Sequence, residues 1–315
     1  MNLSKPLLSV VVPVYNEEAG LKNFHKDLCK ILQKHYKNQT EIIYVNDGSR
    51  DNTAAVLKTL QDATYLQLSR NFGKEIATTA GIHAAKGQAI LTLDGDGQHP
   101  VELIPEFVKK WQAGAKVVVG RRIANQKEGL IKRWGSKIFY ASYGKVGGVR
   151  LTPGATDFRL IDQTVQQDFA KLTERNRITR GLIDWLGYPQ TLIDFTAKPR
   201  QAGQATYSTR KLVKLALDSA ISLSISPLYI TAYIGAVVLP LATLLGIGML
   251  GNWLLGDPLG FHATGSAYLG VMLLFLVGLV LVSQGIIGLY LSHIHAETQA
   301  RPLYIIDREQ SKRAQ

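Results

Sequence analysis

Two stretches of this chain, residues 219–256 and 263–292, contain no Asp, Glu, Lys or Arg. Each exceeds the roughly 20 residues that a helix needs to cross a bilayer. A chain with such a pair is not expected to bury everything in one water-soluble core. Membrane helices are expected over about 228–254 and 267–291. A pair of helices buried inside a domain is the competing reading, and their length argues against it. Glycines in both segments and Pro240 in the first are tolerated better in membrane helices than in soluble ones.

Basic residues orient the pair. Lys198, Arg200, Arg210, Lys211 and Lys214 precede the first span, and Arg301, Arg308, Lys312 and Arg313 follow the second. The link 257–266 has neither Lys nor Arg. The positive-inside rule then places both termini in the cytoplasm, with a short loop outside a bacterial-type plasma membrane. Nothing at the N-terminus resembles a signal peptide, since Lys5 and Pro6 lead straight into a strand. The single Cys29 allows no internal disulfide and fits a reducing compartment. Spacings of small residues such as Gly246-Ile-Gly248 and Gly270 suit helix packing, and with it a homo-oligomer.

Residues 209–225 link the two parts. Leu212, Leu215, Ala216, Ser219, Ala220 and Leu223 share one helical face, and Lys211, Lys214 and Asp218 share another. That pattern suits an amphipathic helix lying in the membrane interface. The expected organisation is a hydrophilic domain over 1–208, the interface helix over 209–225, two spans with their loop within 226–292, and a cytoplasmic tail over 293–315. The net charge of +12 clusters near the membrane segments rather than along a recognition element. Anionic head groups or a phosphorylated lipid explain it better than nucleic acid does.

The hydrophilic part alternates apolar strands with helices. Strands are expected at 7–15, 41–47, 65–69, 89–94 and 116–120. Helices are expected at 18–36, 52–61, 74–85 and 101–113. This order argues for βαβ units and a mostly parallel, Rossmann-like α/β sheet. Ligands bind such sheets at the carboxyl ends of the strands. Tyr15-Asn16-Glu17, Asn46-Asp47-Gly48-Ser49 and Asp94-Gly95-Asp96 all fall there. Asp94 and Asp96, one residue apart, repel each other unless a positive charge intervenes, and a divalent cation holding a diphosphate would supply it. A solvated Asp-Gly turn is the simpler reading. No Gly-x-Gly-x-x-Gly pattern follows the first strand, and no Gly-x-x-x-x-Gly-Lys-Ser/Thr pattern occurs, which argues against dinucleotide and P-loop domains.

Val11-Val-Pro-Val-Tyr-Asn-Glu17, Val45-Asn-Asp-Gly-Ser49, Asp94-Gly-Asp96 with Gln98, and Thr156-Asp-Phe-Arg-Leu160 occur in that order. In this the chain resembles the family 2 inverting glycosyltransferases with an A-type nucleotide-sugar fold. The two spans narrow the likeness to polyprenyl-phosphate glycosyltransferases, the group of bactoprenol glucosyltransferases and dolichyl-phosphate mannose synthases. The resemblance implies that Pro13, Tyr15 and Glu17 line the nucleotide pocket, with Val45 and Asp47 at the base and ribose. It implies that Asp94 and Asp96 hold the diphosphate through Mg²⁺ or Mn²⁺, with Gln98 beside them, and that Asp157 faces the sugar and the reacting centre. Relatives often carry two acids before Gly48, where this chain has Asn46-Asp47.

The implied activity is transfer of a hexose from a nucleotide-sugar donor to polyprenyl phosphate on the cytoplasmic membrane face, with inversion. Glucose from UDP-glucose is the donor that the resemblance favours. GDP-mannose with a dolichyl-type acceptor is the nearest rival, and a nucleotide-binding scaffold or transport component is the rival from another class. A sugar-polymerising synthase would need a Gln-x-x-Arg-Trp segment and further spans. A lipid phosphate is already ionised near neutral pH, so Asp157 serves either as a base or only to position the sugar. A salt bridge to Arg159 or another Arg is the alternative for Asp157. The resemblance favours Arg122, Arg177, Arg180 and Arg200 as contacts to the lipid phosphate, which Arg can grip bidentately. Lys127, Lys132 and Lys137 fit a solvated basic face instead. His99 follows the acidic motif without an assigned role.

Overall fold

The computed structural model describes residues 5–123, 152, 154–175, 177–196, 244, 247–248, 251–252, 254–256 and 265–312. Arg200, the basic residues between 127 and 137, the 209–225 helix and most of the first expected span lie outside these residues. The chain divides into two compact units, one of residues 1–206 with 301–315 and one of 207–300.

The first unit is built on an eight-stranded sheet. In chain order its elements are β1 (Leu8–Val14), α1 (Leu21–Tyr36), β2 (Thr40–Asn46), α2 (Thr53–Thr59), β3 (Ala63–Leu68), α3 (Lys74–Ala84), β4 (Ala89–Thr92), a 3₁₀ turn (Val101–Leu103), α4 (Ile104–Gln112), β5 (Val117–Arg122), β6 (Ala155–Asp162), α5 (Gln163–Phe169), α6 (Thr179–Trp185), β7 (Gln190–Phe195) and β8 (Ile306–Lys312). The strand order is β7-β5-β6-β4-β1-β2-β3-β8. Strands β4, β1, β2 and β3 run parallel, as does the β5–β7 pair. Strand β6 runs antiparallel to both β4 and β5.

Apolar residues on both faces of β1 explain the layering. Leu8, Val10 and Val12 share one core with Leu21, Phe24 and Leu28 of α1 and Phe107 of α4. Val11 looks the other way, into a core with Ala77 and Ala80 of α3 and Phe169 of α5. A strand buried on both faces reads as a near-continuous apolar run, and residues 8–14 do apart from Ser9. Helix α3 lies close to the sheet because Gly81 has no side chain: a Cβ there would sit 2.2 Å from Val11 Cγ1.

The first five expected strands appear within a few residues, as β1 to β5. Strands β6 and β7 and helices α5 and α6 were not expected, and β6, antiparallel to both neighbours, makes the sheet mixed. The segment after residue 300, expected only as a tail, supplies β8. It pairs antiparallel with β3 through Leu68↔Ile306 and Gln67↔Asp307, and the Ser69 N–H donates to Ile305 O at 2.9 Å.

In the second unit α7 (Gly265–Thr298) is one continuous helix of 34 residues. It covers residues 267–291, where the second span was expected, and continues beyond them. Taken over the described residues, no helix is long and apolar enough to cross a membrane.

Candidate active site

The three polar motifs converge because their strands lie side by side. Register pairs Pro13 with Val45 and Val14 with Asn46, and Val11 with Thr92. The loops that leave β1, β2 and β4 therefore emerge at one edge of the sheet.

The first two loops are tied to each other by backbone donors. Asn16 N–H donates to Ser49 Oγ at 3.0 Å, and Arg50 N–H donates back to Asn16 Oδ1 at 2.9 Å. Glu17 N–H donates to Thr53 Oγ1 at 2.9 Å. Tyr15 is exposed and Pro13 and Glu17 are half-buried, whereas Val45 is fully buried in the α3-side core. Asn46 is buried, and its amide donates to Gln67 Oε1 at 2.8 Å.

Asp47 is buried, and each of its oxygens accepts a backbone N–H, from Phe72 at 2.7 Å and Gly73 at 2.9 Å. Burial pushes its carboxyl above the usual range, against the two N–H groups that favour the charged form. Asp47 thus shapes the loop that leads into α3. Gly48 is required beside it: its φ is 64°, and a Cβ would meet Arg70 C at 2.5 Å.

The acidic turn after β4 is organised by its own histidine. Asp94 N–H donates to His99 Nδ1 at 3.0 Å, which leaves the ring proton on Nε2. His99 stacks on Phe158, with ring centroids 5.2 Å apart, and burial holds its pKa below the usual value. Gln98 N–H donates to Asp96 Oδ1 at 3.0 Å. Asp94, Asp96 and Gln98 are all half-buried.

Asp157, on β6, joins this group across the antiparallel pairing with β4. The Thr92 hydroxyl donates to its carbonyl at 2.7 Å. Lys74, the first residue of α3, closes the cluster. Its Nζ lies 2.7 Å from Asp94 Oδ1 and 2.7 Å from Asp157 Oδ2. Burial would lower the Lys74 pKa, but the two carboxylates outweigh it and hold it well above the usual value. Burial would raise that of Asp157, and Lys74 with Arg180 and Arg159 holds it below the usual range instead. Glu75, next on α3, accepts the Thr179 N–H at 2.8 Å and so pins α6 to α3. Burial pushes the Glu75 carboxyl up.

Sequence reasoning passed over Lys74. A signal was present, because a lysine in the first turn of a helix opposes the helix dipole. Such a residue calls for a local reason, and here the acid cluster supplies it.

The arginines are distributed differently. Arg159 pairs with Asp184, both side chains 2% exposed, so Asp157 takes Lys74 and not Arg159 as its partner. Arg177 is buried, donates to Leu172 O at 3.0 Å and lies over the Phe169 ring. Arg180 is half-buried and lines, with Glu75, Asp157 and Arg159, a cavity of about 10 Å³. Arg122 is exposed at the end of β5. Among the described residues, no three His, Cys, Asp or Glu are gathered as a metal site.

The sequence profile of glycosyl transferase family 2 matches residues 9–169. An uncharacterised glycosyltransferase of Synechocystis is 40% identical over 95% of this chain and 94% of its own. A bactoprenol glucosyl transferase of Shigella phage SfV is 36% identical over 97% and 99%, and a prophage homologue of that enzyme in Escherichia coli is 36% identical over 96% and 98%. Among solved structures, mannosyl-3-phosphoglycerate synthase of Rubrobacter xylanophilus shares the fold. It has a TM-score of 0.51 at 18% identity and covers 69% of this chain and 72% of its own.

Proposed function

The chain belongs to glycosyl transferase family 2, and from that membership we propose that it transfers glucose from UDP-glucose to a polyprenyl phosphate at the cytoplasmic face of a membrane, with inversion at the anomeric carbon. The observation that carries this reading is the acid cluster. Asp94 at the end of β4 and Asp157 on β6 reach the same positive charge, each 2.7 Å from Lys74 Nζ, at the sheet edge where nucleotide ligands bind. The relatives named for bactoprenol and glucosyl transfer support the acceptor and the sugar.

The residues fit a hard divalent cation, Mg²⁺ or Mn²⁺. Magnesium is commonly held by one or two carboxylates together with substrate phosphates, so a full cage of protein ligands is not required. Asp94 and Asp96 would hold it, and its charge would offset what builds up on the departing diphosphate. The Asp47 loop and Tyr15 would form the walls for the nucleoside. Asp157, kept ionised by its basic neighbours, would position the sugar. A lipid phosphate brings its own negative oxygen to the anomeric carbon, so orientation of the two partners does more of the work than proton removal.

Residues 207–300 leave and re-enter the same folded unit. If they cross a membrane, they therefore cross it an even number of times, which supports two spans and a catalytic domain on the same side as both ends. In this reading the two stretches without charged side chains, residues 219–256 and 263–292, supply the spans.

Membranes carrying the full chain, given Mg²⁺, a short-chain polyprenyl phosphate and radiolabelled UDP-glucose, should form a chloroform-soluble labelled product. Parallel reactions with UDP-N-acetylglucosamine and GDP-mannose test the sugar and base. Binding of donor with no product from any of them would overturn transfer in favour of a scaffold.

A further inference from the structure

Lys74 occupies an unfavourable place unless the acids explain it. It begins α3, where the helix end is already positive. Strands β4 and β6 are joined without it, through Leu91↔Leu160 and Thr92↔Arg159 and through the Thr92 hydroxyl. Its side chain is 42% exposed, so little packing energy depends on it. What Lys74 does is share one positive charge between Asp94 and Asp157.

We propose that Lys74 is the resident counter-ion of the Asp94–Asp157 pair, and that it makes divalent-cation binding at Asp94 conditional on the nucleotide diphosphate. The inference rests on the reading above, with the cation held at Asp94 and Asp96. A dication arriving alone must take Asp94 from an ammonium 2.7 Å away, and that ammonium stays tethered nearby and repels it. A dication arriving with a diphosphate brings enough negative charge for both cations. Lys74 then keeps Asp157 as its partner, and its flexible stem lets the ammonium shift without moving the backbone. The residue thereby suppresses unproductive metal binding and keeps the acids from repelling each other while the site is empty of donor.

The test is Mn²⁺ binding to the full chain in detergent, measured from the paramagnetic signal of free Mn²⁺, with and without UDP. Wild type should bind Mn²⁺ weakly alone and at least about tenfold more tightly with UDP, a coupling of ordinary size for linked sites. Lys74→Gln should bind Mn²⁺ alone about two- to fivefold more tightly than wild type, the scale of a partly exposed ion pair removed from competition. Its enhancement by UDP should shrink by the same factor. Lys74→Arg, which keeps the charge, should behave as wild type. Unchanged Mn²⁺ affinity in Lys74→Gln, with UDP still enhancing binding in wild type, would overturn the counter-ion role and leave the metal reading intact. Absence of Mn²⁺ binding to wild type even with UDP would overturn both.

Discussion

Arg159 and Asp184 face each other with side chains 2% exposed, and Arg159 Nε and Nη2 are buried without a hydrogen-bond partner among the described residues. Such a pair contributes little net stability while intact, but leaving one member alone is costly. Asp184→Ala should destabilise the first unit by about 3–5 kcal/mol, read as a lowered urea midpoint in detergent; a change below about 1 kcal/mol would mean that water reaches the guanidinium. Asp96→Ala should behave in the opposite way. Asp96 is half-buried at a turn, so the fold should persist while turnover falls about 100-fold or more, the effect of losing electrostatic stabilisation of a leaving group. Near-normal activity with Mg²⁺ would remove Asp96 from the reaction. Two residues in these motifs also serve the fold. Asp47 gives both oxygens to the backbone before α3, and His99 uses Nδ1 to hold the backbone of Asp94.

At the next level the informative element is β8. It covers the edge of β3, which would otherwise present unpaired backbone groups to solvent. Its attachment includes His83 on α3, whose Nδ1 lies 3.2 Å from the Tyr304 hydroxyl. Burial, with Arg177 nearby, holds His83 below its usual pKa of 6.5. Phe169 packs against the same ring. A histidine with a depressed folded pKa contributes stability that is present above about pH 6.5 and lost as pH falls, because the unfolded chain takes up the proton more readily. The protection of residues 304–312 against amide exchange, corrected for the slower intrinsic exchange at low pH, should therefore fall between pH 7.5 and 5.5. His83→Gln should flatten that dependence. If the wild-type protection stayed constant over the range, His83 would not control the strand.

For the molecule as a whole, the return of residues 301–312 to the sheet ties both ends of the 207–300 segment to one unit. A two-span hairpin follows if that segment enters a bilayer. In a Cys29→Ser background, Asp257→Cys should react with a membrane-impermeant thiol reagent in intact cells, and Ser311→Cys only after permeabilisation. Reaction of both in intact cells, or of neither, would exclude this topology.

Legibility followed physical range. The apolar stretches, the strand–helix alternation and the Asp-Gly turns are local: each depends on side chains within a few residues, so β1 to β5 and the motifs at their ends could be read directly from the chain. Strands β6 to β8 were missed because their places depend on distant partners. Asp307 meets Gln67 and Arg159 meets Thr92 only once the sheet has formed. The Thr-Asp-Phe-Arg segment announced Asp157, but the closeness of Asp157 to Asp94 is a consequence of the antiparallel β4–β6 register. Lys74 shows the same division. Its helix and its unfavourable place at the start of that helix are local facts, whereas its role as a charge shared by two carboxylates exists only where three separated segments meet, because ion pairing acts over a few ångströms of space and is indifferent to distance along the chain.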